Sequence, residues 1–492
     1  MSSPRSESPA KSHFSRDVIT LVTGTTAGLI ITLFASPLIT RLYGPEAFGL
    51  LALFTSITSI CGIVVCLRYE QAILLPESDE EAANVVGLCL IAGILISLLS
   101  IPVVILVQEP VVQFLKAPQL APFLWLIPLT LFIIAISSVL NYWNTRMKGF
   151  RRLSVARVTG SVSTTGTQLG LGYLGQATGG VLIGAYILGQ IVPAGVLAIL
   201  IVKDHLSFFR QHITWKGMAE VLRRYSNFPK FDLWSNVLNS ISWQVPIFLL
   251  AYFFSTTIVG YYSLGMMLIQ LPMGLIGSAI AQVFFQRAAE ANTEGKLGSL
   301  VEEVFKTLVK IGIFPMTVLL FIGSDLFIVF FGPQWATAGT FVQILSVWAF
   351  VWFISSPLSS LISVLEIQSW GLNLNIVIFL TRIVSLVIGG MLGNVYLALL
   401  LFSISGIFVY GYLCVQALLF SGVPLSVIKN ELVSSIPKIA IPGFIFILLG
   451  FLSVDARIVI VIACCAGLIY YIWIVKDDPT LQNMINQVIF KK

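Results

Sequence analysis

Few residues in this chain could do chemistry inside a membrane, because only 10% of its 492 residues are charged. Arg382 is the charge that falls clearly inside a long apolar run. A charge at the bilayer centre costs about 2.5–3.5 kcal/mol on insertion scales, so it usually faces a cavity or a partner. A guanidinium fork can donate two hydrogen bonds to a phosphate. Arg382 therefore indicates an anionic ligand, and a snorkelling or packing arginine is the alternative.

Two further arginines stand near the ends of apolar runs. Arg41 ends the first run, where it either lines the mouth of a cavity or anchors the helix end. Arg146 begins a basic stretch that continues to Arg152. Such a stretch could gather an anionic headgroup or could serve only as a topology signal.

Uncharged polar groups concentrate in two of the apolar runs. Asn236, Asn239 and Trp243 share one helical face at spacings of three and four, and Gln244 adjoins them. The other run carries amide and hydroxyl side chains at Ser161, Ser163, Thr164, Thr165, Thr167 and Gln168. Amide, hydroxyl and indole groups suit sugar binding, and hydrogen bonding between helices is the alternative.

The residues that several kinds of chemistry require are missing from the sequence. No Walker A pattern is present, so we expect no ATP hydrolysis by this chain. The six cysteines have no metal-site spacing and the three histidines lie outside the apolar runs. No acidic residue lies near the middle of a run, which argues against a cation exporter. We predict no cofactor, and leave open coupling to a proton or sodium gradient or to the membrane potential.

The composition identifies the elements that must position these groups. The chain is 57% hydrophobic with a mean hydropathy of +0.96, whereas soluble chains are about 45–50% apolar and about 25% charged. This excludes an ordinary soluble enzyme, a disordered chain and a nucleic-acid binder. A spanning helix needs about 20 apolar residues, so the length accommodates about 14 helices. The predicted spans are 18–40, 47–67, 84–107, 119–141, 155–175, 178–202, 232–254, 258–281, 307–331, 340–365, 369–390, 394–420, 436–453 and 456–475.

The basic residues give the predicted orientation. With both termini in the cytoplasm, nearly all of the 28 basic residues fall in cytoplasmic segments, as the positive-inside rule requires. The net charge of +6 is then a topology signal. We expect a multi-pass protein of the cytoplasmic, or inner, membrane.

Two short patterns recur along the chain. The stretch around Gly49 is similar to that around Gly260, and Ala-Pro-Gln at 117–119 is similar to Gly-Pro-Gln at 332–334. Six spans separate the copies, which predicts a parallel repeat of two pseudo-symmetric six-helix lobes with a site between them, plus two C-terminal helices. The predicted segments are a cytoplasmic tail at 1–17, an N-lobe at 18–202, a cytoplasmic connector at 203–231, a C-lobe at 232–420, and the last two spans with the C-terminus at 421–492.

Three stretches carry a family resemblance. Pro37–Gly49 resembles the first-loop signature of Wzx-type polysaccharide flippases, of the multidrug/oligosaccharidyl-lipid/polysaccharide exporter superfamily. Gln244–Phe254 with Val259–Leu264, and Ala279–Ala288, are similar to later stretches of the same family. The resemblance covers about 18–475.

The resemblance implies an activity. Members move undecaprenyl-diphosphate-linked oligosaccharides to the outer leaflet by alternating access, for O-antigen, lipopolysaccharide, capsule or exopolysaccharide synthesis. Cavity arginines in the family bind the diphosphate, a role carried over to Arg41 and Arg382. Many relatives have an aspartate near Val245, which this chain lacks. The implied partners are the lipid-linked oligosaccharide, membrane lipid and other polysaccharide-assembly membrane proteins, and not nucleic acid.

Two other functions remain open at this point. One is an ion-coupled multidrug or small-solute antiporter of the same fold, against which the missing mid-membrane carboxylates count. The other is a membrane glycosyltransferase or polymerase, which usually needs a large outer loop or a carboxylate cluster. The sequence favours a carrier that makes and breaks no bond, and so is not an enzyme.

Overall fold

The computed structural model describes residues 9–477, and within this range the chain forms helices and no strand. The predicted all-α fold is confirmed. The chain divides into two compact units, one ending at Gly260 and the other beginning at Tyr261. The predicted tail at 1–17 lies partly outside the described residues, as does the end of the segment 421–492.

The first unit contains α1 (Pro9–Leu42), α2 (Pro45–Val64), α3 (Tyr69–Ala72), α4 (Asp79–Phe114), α5 (Ala121–Leu124), α6 (Ile127–Arg146), α7 (Phe150–Tyr173), α8 (Gly179–His212), α9 (Trp215–Arg224) and α10 (Leu233–Phe253). The unit boundary falls within α11 (Thr256–Pro272). The second unit continues with α12 (Ser278–Thr293), α13 (Leu297–Phe331), α14 (Ala336–Leu358), α15 (Leu361–Val364), α16 (Gln368–Met391), α17 (Val395–Phe420), α18 (Leu425–Phe451) and α19 (Ala456–Asp477). Short π-helical segments lie at Phe228–Asp232 and Met273–Gly277.

Each predicted span falls on a helix. Eleven helices of the described chain are long and apolar enough to cross a membrane. The remaining predicted spans, α7, α10 and α11, are helical but fall outside that set. Two of these, α7 and α10, are the polar spans that the sequence marked for a site. A polar spanning helix must place its polar groups against protein or water, because lipid offers no hydrogen bonds.

The predicted break within 155–202 is present, since α7 and α8 are separate helices. Gly175 takes a positive φ of 82°, which ends α7 in a turn. Thr178 then caps α8, its hydroxyl accepting a hydrogen bond from the Val181 amide at 3.4 Å.

The predicted connector at 203–231 is mostly helical. Residues 203–212 continue α8, α9 follows, and the π-helical segment leads into α10. Helix α10 packs against α2 and belongs to the first compact unit, while the predicted C-lobe begins at 232.

The repeated motifs adopt related local structures. Pro118–Leu120 and Pro333–Trp335 both form a single 3-10 turn, which leads into the short α5 in the first case and into the long α14 in the second. The two repeat glycines lie side by side: a Cβ on Gly49 would overlap the carbonyl oxygen of Thr256, and a Cβ on Gly260 would overlap that of Pro45. Close helix contact through small residues is the usual means of association in lipid, where no hydrophobic force drives helices together.

The second unit has an aromatic centre. Trp348 of α14 is buried and stacks on Trp352 with ring centroids 5.5 Å apart. Phe402 of α17 meets Trp348 edge-on at 5.0 Å. These rings pack α14 against α17. Helix α17 also contacts α16, the helix that carries Arg382.

Candidate functional site

A cavity of about 580 Å³ lies within the first unit, between α1, α6, α7 and α8. Helix α7 packs along both α1 and α8. The cavity has a mixed lining, with aliphatic side chains from Leu29, Leu153, Ala156, Pro193, Ala194 and Leu197. Its polar lining consists of Thr25, Thr32, Ser137, Asn141, Thr145, Arg157, Ser161, Thr164 and Gln190.

Helical periodicity explains why these polar groups converge. Arg157, Ser161 and Thr164 follow one another at spacings of four and three, so they share one face of α7. Ser137, Asn141 and Thr145 repeat every four residues along α6. Two polar stripes therefore face the same space, which keeps both away from lipid.

Arg157 is the charged residue of this lining. Its Nη1 donates to the Thr25 hydroxyl of α1, and its side chain is otherwise exposed. A guanidinium carries five N–H donors in a fixed fork, so this one contact leaves most of its donors for a ligand. Arg157 can therefore meet an anionic group at the cavity.

The polar side chains on this face of α6 bond mainly to the backbone of their own helix. Asn141 Nδ2 donates to the Ser137 carbonyl at 2.6 Å, and the Thr145 hydroxyl donates to the Asn141 carbonyl at 2.8 Å. The Ser137 hydroxyl is buried and makes no hydrogen bond. A buried polar group without a partner is costly, so this hydroxyl is a destabilising feature of α6.

Within this lining, Ser161 and Thr164 belong to the polar run that is recognisable in the sequence. Arg157 lies near the start of its predicted span, where a basic residue indicates only topology. The spacing of Ser137, Asn141 and Thr145 on one face was the pattern that could have identified α6.

The two arginines proposed for a diphosphate lie elsewhere. Arg41 is exposed in the last turn of α1. Arg382 is only 5% exposed, and its Nη2 donates to the Tyr410 hydroxyl of α17 at 2.8 Å. Arg382 of α16 is thus buried against α17.

Arg146 bonds to the loop between α3 and α4. Its Nε donates to Asp79 Oδ1 at 2.8 Å, and its Nη1 donates to the carbonyls of Ile73 and Pro76 at 3.0 and 2.9 Å. These bonds hold the segment between α3 and α4 against the end of α6. The structure therefore gives Arg146 a local structural role.

The predicted polar face of α10 is divided among several contacts. Asn236 Nδ2 donates to the Asp232 carbonyl at 2.8 Å, and Gln244 Oε1 accepts from the Ser56 hydroxyl of α2 at 2.9 Å. Asn239 is exposed and Trp243 is half-buried. These contacts follow the interhelical alternative for Gln244.

Gln168 of α7 lies beyond the cavity lining. It is buried, and its carbonyl oxygen accepts from the Tyr43 hydroxyl at 2.8 Å. Tyr43 belongs to the turn that follows α1, so this bond fixes the matched first-loop motif onto α7.

Comparison with known proteins gives one family and one fold. Residues 38–340 match the family model described as polysaccharide biosynthesis protein. No curated protein matches the chain significantly.

Solved structures share the fold at low identity. The structure of lipid II flippase MurJ in an inward closed conformation is 16% identical, with a TM-score of 0.68 over 94% of this chain and 99% of that one. An inward-facing multidrug resistance MATE family transporter of the MOP superfamily is 14% identical, with a TM-score of 0.61 over 81% and 98%. An outward-facing transporter of the same description is 14% identical, with a TM-score of 0.52 over 84% and 96%. At these identities the likeness shows the fold alone.

Proposed function

The chain belongs to the polysaccharide biosynthesis protein family, and from this premise we propose that it moves lipid-linked oligosaccharide across a membrane. The family resemblance found in the sequence is thereby confirmed. The chain is a multi-pass helical membrane protein. The proposed cargo is an undecaprenyl-diphosphate-linked repeat unit, delivered to the outer leaflet for O-antigen, capsule or exopolysaccharide assembly.

The observation that carries this proposal is the group of polar side chains, one of them charged, that lines a cavity inside an apolar unit. Its hydroxyl and amide groups match the hydrogen-bonding groups of a glycan, and Arg157 matches a phosphate oxygen. Ligand pockets run to about 300–1,000 Å³, so 580 Å³ accommodates part of a large head group. The lipid tail stays in the bilayer, and no bond is made or broken.

The remaining features of the proposal follow from the sequence. The termini lie in the cytoplasm and the membrane is the cytoplasmic one, because the basic residues mark that side. Transport proceeds by alternating access and needs no cofactor, with a proton or sodium gradient or the membrane potential as the energy source. Other polysaccharide-assembly membrane proteins are the proposed partners.

An ion-coupled multidrug antiporter is the second candidate, favoured by the fold shared with MATE transporters. A cationic drug needs a carboxylate, and the described lining of the cavity contains an arginine and no acidic side chain. Efflux of cationic drugs driven by an ion gradient would favour this candidate over the flippase.

We expect cells that lack this chain to keep their lipid-linked repeat units on the cytoplasmic leaflet. Re-expressed wild type should restore them to the outer face, as measured by accessibility to an added glycan-binding probe. Arg157→Ala should restore little transport, because the phosphate loses its charged donor, and Arg157→Lys should restore more.

Arg151→Ala is the matched control for this experiment, since Arg151 lies on the same helix but outside the cavity lining. Arrival of repeat units at the outer face without the chain would refute the proposed function. Equal transport by Arg157→Ala and Arg151→Ala would instead remove the cavity from the transport path.

A further inference from the structure

Two carboxylates share one guanidinium where the end of α2 meets the start of α10. Arg68 Nε lies 2.8 Å from Asp232 Oδ2, and Arg68 Nη1 lies 3.5 Å from Glu70 Oε1. Asn236 Nδ2 supports Asp232 from the first turns of α10, donating to its Oδ1 at 3.0 Å. All four residues belong to the first unit.

The backbone around this cluster is irregular on both sides. Leu67 and Arg68 take positive φ angles of 52° and 67°, which side chains other than glycine seldom adopt. Asp232 is the last residue of the π-helical segment that leads into α10. Strained backbone of this kind persists only where its surroundings hold it. The Arg68–Asp232 pair is such a hold, because it ties the turn after α2 to the start of α10.

Glu70 is the buried member of the cluster. Its side chain is only 9% exposed, and its Oε2 is buried without a hydrogen-bond partner. An ionised carboxylate exposes acceptor sites on both oxygens, so an unpartnered buried oxygen disfavours the charged form. With a proton on Oε2, the Glu70 carboxyl is neutral and no charge is buried at this position.

The surroundings of Glu70 act in the same direction. Burial raises the pKa of Glu70 above its ordinary value of 4.5, and the charge of Asp232 raises it further, against the opposing effects of a backbone hydrogen bond and Arg68. The other titratable groups that interact with Glu70 are Cys89 on α4 and Tyr142 on α6. Both are ordinarily neutral near pH 7. The cluster holds one positive guanidinium, on Arg68, and two carboxylates, on Glu70 and Asp232. One bound proton therefore makes its net charge zero.

We propose that Glu70 is a proton-binding site whose occupancy sets how firmly Arg68 holds Asp232, and so how ordered the start of α10 is. Arg68 lies closer to Asp232, at 2.8 Å, than to Glu70, at 3.5 Å, and a proton on Glu70 removes the charge that competes for this pairing. When the O–H bond breaks, the proton passes to water beside Asp232, whose side chain is 37% exposed. The Glu70 carboxylate then competes for Arg68, and the bond to Asp232 weakens.

Hydrogen–deuterium exchange of the backbone amides at 226–236 tests this inference in the purified full-length protein in nanodiscs. After correction for the intrinsic effect of pH on exchange, protection in the wild type should fall as the pH rises through the pKa of Glu70. Glu70→Gln should keep the protected state at every pH. Glu81→Gln is the matched control and should titrate like wild type, because Glu81 pairs with Arg224 at 2.8 Å outside the cluster.

A second variant and a second measurement keep the inference testable if Glu70→Gln fails to fold. Asp232→Asn should lack the low-pH protection, because Arg68 loses its charged partner. Infrared difference spectra should show a protonated carboxyl in the wild type that is missing from Glu70→Gln. A wild type with pH-independent protection, or a Glu70→Gln variant that titrates like it, would overturn the proposal. Neither readout measures transport, so this result is independent of the proposed function.

Discussion

Valine at Gly260 is expected to remove most of the folded protein from the membrane. Even a single Cβ at this position would overlap the carbonyl oxygen of Pro45, and the Gly49 amide nitrogen would lie 3.1 Å away. Backbone atoms cannot rotate aside as a flexible side chain can, so α11 would have to move away from α2. Overpacking costs about 1–3 kcal/mol in well-packed cores and occasionally more, and the involvement of backbone favours the upper end. The measurement is the yield of monodisperse protein and its thermal transition.

Gly49→Val should behave like Gly260→Val, because a Cβ on Gly49 would overlap the carbonyl oxygen of Thr256. Gly184→Val on α8 is the matched control, since a Cβ there meets no heavy atom within 4 Å. If Gly260→Val gives the yield and thermal transition of Gly184→Val, the close contact of the two repeat glycines is refuted.

Alanine at Arg382 is expected to destabilise the second unit. The change leaves a gap between α16 and α17 and removes the donor to Tyr410, which is itself only 7% exposed. A hydrogen bond to a charged group contributes about 1.5–3 kcal/mol. Arg382→Lys should lose less, because an ammonium retains the charge but not the planar fork. Thermal unfolding of the purified variants measures this order.

The same variants separate a packing arginine from a diphosphate ligand. Because Arg382 is buried against Tyr410, we expect total transport to fall with the amount of folded protein, and transport per folded molecule to remain that of the wild type. Tyr410→Phe is the matched control, since it removes the hydroxyl to which Arg382 donates and leaves the charge of Arg382 in place. An Arg382→Ala protein of wild-type stability that fails to transport would restore Arg382 to the substrate site.

Helix positions were predictable from the sequence because lipid leaves a spanning chain few choices. Each segment must satisfy its own backbone hydrogen bonds, so a long apolar run becomes a helix whatever its neighbours are. Even α7 could be recognised, although its Arg157 and its many hydroxyls lower its apolarity. The repeat glycines were visible as a pattern, but their mutual contact was not, because one sequence gives no pair distances.

The polar site was less predictable because side-chain function depends on neighbours that are distant in the chain. Arg382 and Arg157 are both arginines in helices, yet one is packed against Tyr410 and the other faces a cavity. Glu70 showed no signal at all, because a carboxylate just after the end of a span reads as an exposed loop residue. Its surroundings come from α4, α6 and the start of α10 together.

Reconstituted transport tests the central claim most directly. The purified chain is placed in vesicles that carry a fluorescent undecaprenyl-diphosphate-linked oligosaccharide in both leaflets, and an impermeant quencher is added outside. We expect the inner-leaflet fluorescence to be lost over time as well with the wild type, while vesicles with Arg157→Ala keep most of it. Persistent inner-leaflet fluorescence with correctly folded wild-type protein, under each ion gradient and membrane potential, would contradict this claim.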